Sequence, residues 1–285
     1  MKLTIGEHAG FCFGVRRAVD KAFACADDQL PCVTLGPLIH NPQEVARLES
    51  AGVRSVDDLN QVQEGETVII RSHGVTPDVY AQCEARGIPV IDCTCPHVAH
   101  IHQLVREYSR DGDAVIIVGE PDHPEIVGIA GWAHGRVFIL PTREAAEQAQ
   151  LPGRALVVAQ TTLRRDRFED VLSAIRSKVQ DLTVRMTICA ATSKRQQEAE
   201  ALSHEADVMI IVGGRNSSNT KKLLETCRLR CERSYQVETP QDVQRSMFRE
   251  TDRVAITAGA STPQWLLEQV RRAIEEDAEK SVAKE

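Results

Sequence analysis

The sequence predicts an α/β fold made of three similar units, each with a small, mostly parallel sheet. Three observations lead there. A short β-branched apolar run, a polar or glycine-rich loop and a segment with a helical start signal follow one another six times. Runs such as VIIVG and VMIIVGG are apolar at consecutive positions, as befits central parallel strands covered on both faces. Cys12, Cys95 and Cys189, each just ahead of a helical segment, fall at similar intervals along the chain.

Taken in order, the strand-loop-helix instances are CVTLGPLIHNPQEV (32–45), TVIIRSHGVTPDV (67–79), AVIIVGEPDHPEIVG (114–128), ALVVAQTTLRRD (155–166), DVMIIVGGRNSSNTKKL (207–223) and RVAITAGASTPQWLL (253–267). Proline in Asn41-Pro42, Thr76-Pro77, His123-Pro124 and Thr262-Pro263 brings a fixed φ suited to a first helical turn, which supports the helix starts independently. Three cysteine-bearing stretches, 10–24, 92–105 and 187–202, each place a cysteine before an amphipathic helix. The expected units are 13–95, 96–185, and 186–275 together with 1–12, with 276–285 a solvated, frayed helix end.

Composition narrows the function classes. At 285 residues, 42% hydrophobic and 26% charged, the chain has the makeup of an ordinary compact globular protein. The net charge of −7 argues against general attraction to nucleic acid or an anionic membrane. No apolar run reaches the roughly 20 residues that span a bilayer, and the start has no signal-peptide pattern, so a cytoplasmic location is expected. Nine cysteines at wide, irregular spacing disfavour a disulfide framework.

In α/β sheets ligands bind beyond the carboxyl ends of the strands. The residues there are His40, His73, His123, Glu125, Thr161, Ser217, Ser218, Asn219 and Ser261. The histidines, serines and asparagine are donors suited to a phosphate or diphosphate, although each serine or asparagine alone also reads as a helix cap or turn residue. Glu125 falls in a first helical turn, where it favours the dipole or donates a proton; Thr161 orients that proton path or is a plain N-cap. Thiolate is the metal-binding form, and a helix amino terminus stabilises it, which singles out Cys12, Cys95 and Cys189. Cys25, Cys32, Cys83, Cys227 and Cys231 are left as incidental thiols, although Cys227 and Cys231 lie four apart on an expected helix, and Cys93 belongs with the CTCPHVAHIH stretch. CTCPHVAHIH offers zinc-binding residue types, but a helix would splay His97, His100 and His102 around its surface. Three thiolates on a four-iron cluster would leave one iron without a protein ligand, which favours catalysis over electron carriage.

With these motifs assembled, the chain resembles the 4-hydroxy-3-methylbut-2-enyl diphosphate reductase family over nearly its whole length. The resemblance rests on GFCFGV at Cys12, HNPQEV at His40, SHGV at His73, DCTCP at Cys95, HPEIVG at His123 and Glu125, QTTL at Thr161, TICAAT at Cys189, GGRNSSN at Ser217 to Asn219, and TAGAS at Ser261. It implies a trefoil of three α/β units around a central [4Fe-4S] cluster held by Cys12, Cys95 and Cys189. It implies that His40, His73, His123, Ser217, Ser218, Asn219 and Ser261 hold the diphosphate. Glu125 would supply protons with Thr161 assisting, and the electrons would come from ferredoxin or flavodoxin. No GxGxxG follows a strand, so a nicotinamide is not indicated. The rival readings are a non-catalytic iron-sulfur carrier or sensor, which would not need the polar loops, and a zinc hydrolase using the CTCPHVAHIH region.

Overall fold

The computed structural model describes residues 1–282. The expected solvated tail begins inside the last helix, and its residues 283–285 lie outside the described residues. The chain opens with β1 (Lys2–Ile5), α1 (Phe13–Asp27), β2 (Cys32–Leu35), α2 (Pro42–Ser50), β3 (Arg54–Val56), β4 (Thr67–Ile70), α3 (Pro77–Ala85) and β5 (Val90–Asp92). It continues through α4 (Pro96–Tyr108), β6 (Ala114–Val118), α5 (Pro124–Gly131), β7 (Val137–Ile139), α6 (Arg143–Gln148), β8 (Arg154–Ala159), α7 (Arg165–Arg176) and β9 (Asp181–Val184). The last stretch holds α8 (Ala190–Glu205), β10 (Val208–Val212), α9 (Ser218–Arg228), β11 (Ser234–Val237), β12 (Arg253–Ala258) and α10 (Gln264–Val282). All six expected strand-loop-helix segments are present. Pro42, Pro77, Pro96 and Pro124 each open a helix, where a missing N–H costs nothing.

The strands form three four-stranded, wholly parallel sheets, ordered β3-β2-β4-β5, β7-β6-β8-β9 and β11-β10-β12-β1. The order is the same each time: second, first, third, fourth. In the last sheet the place of the fourth strand is taken by β1, from the other end of the chain. Each sheet therefore reverses direction between its first and third strands, and such switch points open a crevice at the strands' carboxyl ends.

Two compact units result. The central unit, Arg16–Ile39 with Val45–Cys189, holds the first two sheets. The terminal unit, Met1–Val15, His40–Glu44 and Ala190–Glu285, holds the third. In the central unit the uninterrupted apolar runs are explained by burial on both faces. Ile116, Val118 and Val157 point to α7, against Phe168, Leu172 and Ile175, while Val115, Ile117 and Leu156 point to Ile101 and Val105 of α4 and Ile126 and Ile129 of α5. In the terminal unit, Ile210 and Ile256 meet Leu266, Val270 and Ile274 of α10, and Met209 and Ile211 meet Leu223 and Cys227 of α9.

Two helices depart from expectation. Along α8 the buried positions are Thr192, Arg195, Ala199 and Ser203, so its inward stripe has helical spacing but is small and polar instead of apolar. α9 ends at Arg228, which leaves Cys231 beyond the helix, its N–H bonded to the Cys227 carbonyl at 2.9 Å.

Candidate active site

Every polar residue singled out from the sequence follows the first or third strand of a sheet. His40 comes after β2 and His73 after β4; His123 and Glu125 come after β6 and Thr161 after β8; Ser217 to Asn219 come after β10 and Ser261 after β12. The cysteines occupy the remaining equivalent place. Cys95, Cys189 and Cys12 follow β5, β9 and β1, the strands in fourth position, and each immediately precedes or caps a helix.

One backbone hydrogen bond recurs three times. The amide of Cys95 donates to the Ser72 carbonyl at 3.0 Å, that of Cys189 to Thr161 at 3.0 Å, and that of Cys12 to Ala260 at 3.2 Å. Ser72, Thr161 and Ala260 each stand two residues past the third strand of their sheet. Each cysteine is thus tied by its own backbone to a switch-point loop, in the same way in all three sheets.

Burial separates these cysteines from the others. Cys12, Cys95 and Cys189 are half-buried, the other six are buried, and among the described residues none is in a disulfide. Burial pushes the Cys32 and Cys93 thiols up to about 11 and Cys227 up to about 12, and it raises Cys83 as well. These four stay protonated and inert near neutrality.

In the central unit, His123 caps α5, its Nδ1 accepting the Glu125 N–H at 3.1 Å. That assigns the His123 proton to Nε2, which makes that nitrogen a donor. The His73 ring meets the His123 ring edge-on with centroids 5.5 Å apart. Glu125 is only 3% exposed. Its Oε1 accepts the Thr161 N–H and its Oε2 accepts the Thr161 hydroxyl, both at 2.6 Å. Thr161 is therefore not a cap: α7 begins four residues later, with Arg164 as its N-cap.

In the terminal unit, Ser217 caps α9 by accepting the Thr220 N–H at 3.3 Å. The Ser261 hydroxyl lies 3.2 Å from the His40 carbonyl oxygen and 3.5 Å from the Ser217 hydroxyl. Both amide atoms of the Asn219 side chain are buried without a hydrogen-bond partner. Burying such a group unsatisfied is costly, which makes Asn219 a candidate to meet a polar ligand. The α9 amino terminus adds the N–H groups and partial positive charge that suit an anion.

Several functional side chains carry no plain signal in the sequence. Lys222, buried one turn past Ser218, donates to its hydroxyl at 2.7 Å, a pairing that only the i, i+4 spacing announces. Arg195, on the buried stripe of α8, donates to the carbonyls of His8 at 2.9 Å and Gly10 at 2.8 Å, and so orders the loop before Cys12. Arg17 holds the Thr94 carbonyl beside Cys95 at 3.0 Å. Of the histidines on α4, His97 and His100 are exposed and His102 is buried, splayed as helical spacing requires.

The comparisons with known proteins agree with this arrangement. The LytB protein family model matches residues 3–275. A 4-hydroxy-3-methylbut-2-enyl diphosphate reductase of Geobacter sulfurreducens is 44% identical over 97% of this chain and 98% of its own length. The Aquifex aeolicus protein of the same name is 43% identical over 97% of each chain. Among solved structures, (E)-4-hydroxy-3-methyl-but-2-enyl diphosphate reductase, described as the terminal enzyme of the non-mevalonate pathway, superposes with a TM-score of 0.72 at 42% identity, over 97% of this chain and all of that one. The E-1-hydroxy-2-methyl-but-2-enyl-4-diphosphate reductase of Plasmodium falciparum superposes with a TM-score of 0.89 at 26% identity, over 95% and 87% of the two chains. With the family model covering nearly all of it and relatives matched end to end, the chain belongs to the LytB protein family.

Proposed function

We propose that the chain reductively removes the hydroxyl of 4-hydroxy-3-methylbut-2-enyl diphosphate, giving isopentenyl and dimethylallyl diphosphates, the last step of the non-mevalonate isoprenoid pathway. The observation that carries the reading is the threefold cysteine turn, with one half-buried thiol after the fourth strand of each sheet. That donor set, three sulfurs and no fourth, fits a [4Fe-4S] cluster held by Cys12, Cys95 and Cys189 with one iron free of protein ligands. When bound, such a cluster supplies electrons and a Lewis-acidic iron. The six buried cysteines take no part.

The remaining work falls to the side chains. Asn219, Ser217, Ser218 and Ser261 offer donors to the diphosphate, with Lys222 adding a cation behind Ser218. His40, His73 and His123 complete the donors, His123 through Nε2. Removing the hydroxyl as water and placing hydrogen on carbon consumes two protons and two electrons. Glu125 is the proton donor. Protonated on Oε2, it reverses its bond to the Thr161 hydroxyl, so a proton passes along the pair without movement of heavy atoms.

The electrons come from an external carrier such as ferredoxin or flavodoxin, and the enzyme works in the cytoplasm. Among the described residues no helix is long and apolar enough to cross a membrane.

Anaerobic purification with iron, sulfide and zinc analysis, followed by turnover of the hydroxylated diphosphate with a chemical reductant, tests the proposal. Iron and sulfide near equimolar with turnover are expected; stoichiometric zinc without iron overturns it, and a loaded cluster without turnover points instead to an electron carrier.

A further inference from the structure

Arg71 is the first residue after β4, two ahead of His73. Its side chain is half-buried. The Nε is buried with no hydrogen-bond partner, and among the described residues no carboxylate oxygen lies within 4.0 Å of the group. A buried donor left without a partner, on a cation without a counter-charge, carries a desolvation cost that a ligand can offset. Desolvation accordingly lowers its pKa.

The loop after β2 is built to admit this side chain. Gly36 has φ +69, which favours glycine, and a Cβ there would stand 2.6 Å from Arg71 Nη1, so a side chain at 36 would push the guanidinium aside. The equivalent residue of the next sheet makes the contrast. Gln160, first after β8, turns its side chain to the loop after β6 and accepts the Glu120 N–H at 3.0 Å. Gln160 is a strap between two loops, whereas Arg71 reaches the matching place and straps nothing.

What it reaches is a cleft of about 300 Å³ within the central unit, lined by Gly36, Asp57, Arg71, Thr76, Pro124 and Val127 among others. Thr76 is the N-cap of α3 but makes no side-chain capping bond. Its methyl is wedged where a Gly131 Cβ would be, 2.4 Å away, which restricts the rotation of the side chain. The cleft thus gathers a forked cation, a hydroxyl, and an apolar wall in Pro124 and the half-exposed Val127. His73, His123 and Glu125 are not among the residues lining it.

We propose that this cleft is a second ligand site, in which Arg71 binds a phosphate group, free or on a small ester. The guanidinium fork matches two phosphate oxygens, and Thr76 can donate to a third. Asp57, also in the lining, repels a bare dianion and accepts a hydroxyl, so the site favours a protonated phosphate or a hydroxylated ester. This site goes beyond the diphosphate donors proposed for the reaction, and its test separates the two.

The experiment is calorimetric titration of the cluster-loaded protein with inorganic phosphate and with ethyl phosphate, in phosphate-free buffer. The proteins are wild type, Arg71→Gln, Arg71→Lys and the double variant Ser217→Ala, Asn219→Ala. The expected result is a phosphate site that survives the double variant and weakens by about tenfold or more in Arg71→Gln, with Arg71→Lys between. Tighter ethyl phosphate assigns the site to esters, and equal affinity to the free ion. Equal phosphate affinity in wild type and Arg71→Gln overturns the proposal, as does loss of all binding in the double variant alone. Should Arg71→Gln fail to fold, Arg71→Lys carries the same reading: undiminished affinity with the fork removed overturns it.

Discussion

Glu125 and Thr161 are a pair in which every donor and acceptor is spoken for, and the chemistry proposed for them depends on one proton. Glu125→Gln keeps the shape and the burial but cannot carry that proton. Its turnover is expected to fall by about 10²–10⁴, with the visible absorption of the cluster unchanged; undiminished turnover would remove Glu125 from its role. His102 raises a different question. It is buried at 4% exposure, stacked on Trp132 with ring centroids 5.4 Å apart, and burial pushes its pKa down to about 4. The unfolded chain titrates near 6.5, so between about 6.5 and 4 it binds the proton that the native state refuses. The stabilisation from a neutral His102 is complete above that window and is lost as pH falls through it, by up to about 3 kcal/mol. In urea melts across this range the stability of wild type relative to His102→Phe should fall as pH is lowered; parallel curves would show that His102 is not the cause.

At the scale of elements, α8 shows how a polar helix face is put to use. Arg195 replaces apolar packing with hydrogen bonds to His8 and Gly10, the segment that delivers Cys12. Arg195→Met retains most of the stem but not these bonds. It is expected to lower iron occupancy several-fold while shifting the melting temperature only slightly, read by iron analysis against calorimetry. The central strands β4, β6, β8, β10 and β12 were legible in the sequence because burial on both faces writes a continuous apolar run. The edge strands β3, β5, β7, β9 and β11 were not, since three or four partly exposed residues leave no run to read. The site residues at strand ends were legible for the same reason as the strands. Lys222, Arg195 and Arg71 were not, because a buried cation looks the same in sequence as one in water. Thr161 also read as a plain N-cap, which the start of α7 four residues later excludes.

For the whole molecule, the nine thiols fall into two populations by burial. With the proposed cluster absent, native protein should react with iodoacetamide at Cys12, Cys95 and Cys189, and all nine thiols should react only in concentrated guanidinium. Rapid native labelling of Cys227, with its thiol raised to about 12, would contradict the packing described for α9. The repeated strand order also explains why the cysteines stand far apart in sequence. Each sheet contributes one, at the same step of the same pattern, so their spacing is the length of a sheet with its helices.

The exception in that pattern is β1, whose Lys2 pairs with Arg253. On the ribosome the first strand emerges with no neighbour and waits while about 250 further residues are made before β12 arrives to receive it. Both central sheets can form in the meantime, and Cys95 and Cys189 then already have their carbonyl partners. Cys12 does not, since Ala260 is made only after both central sheets. Iron for the cluster proposed above, delivered before Ala260 is made, would meet an incomplete set of sulfurs, so its insertion is expected to follow the pairing of β1 with β12.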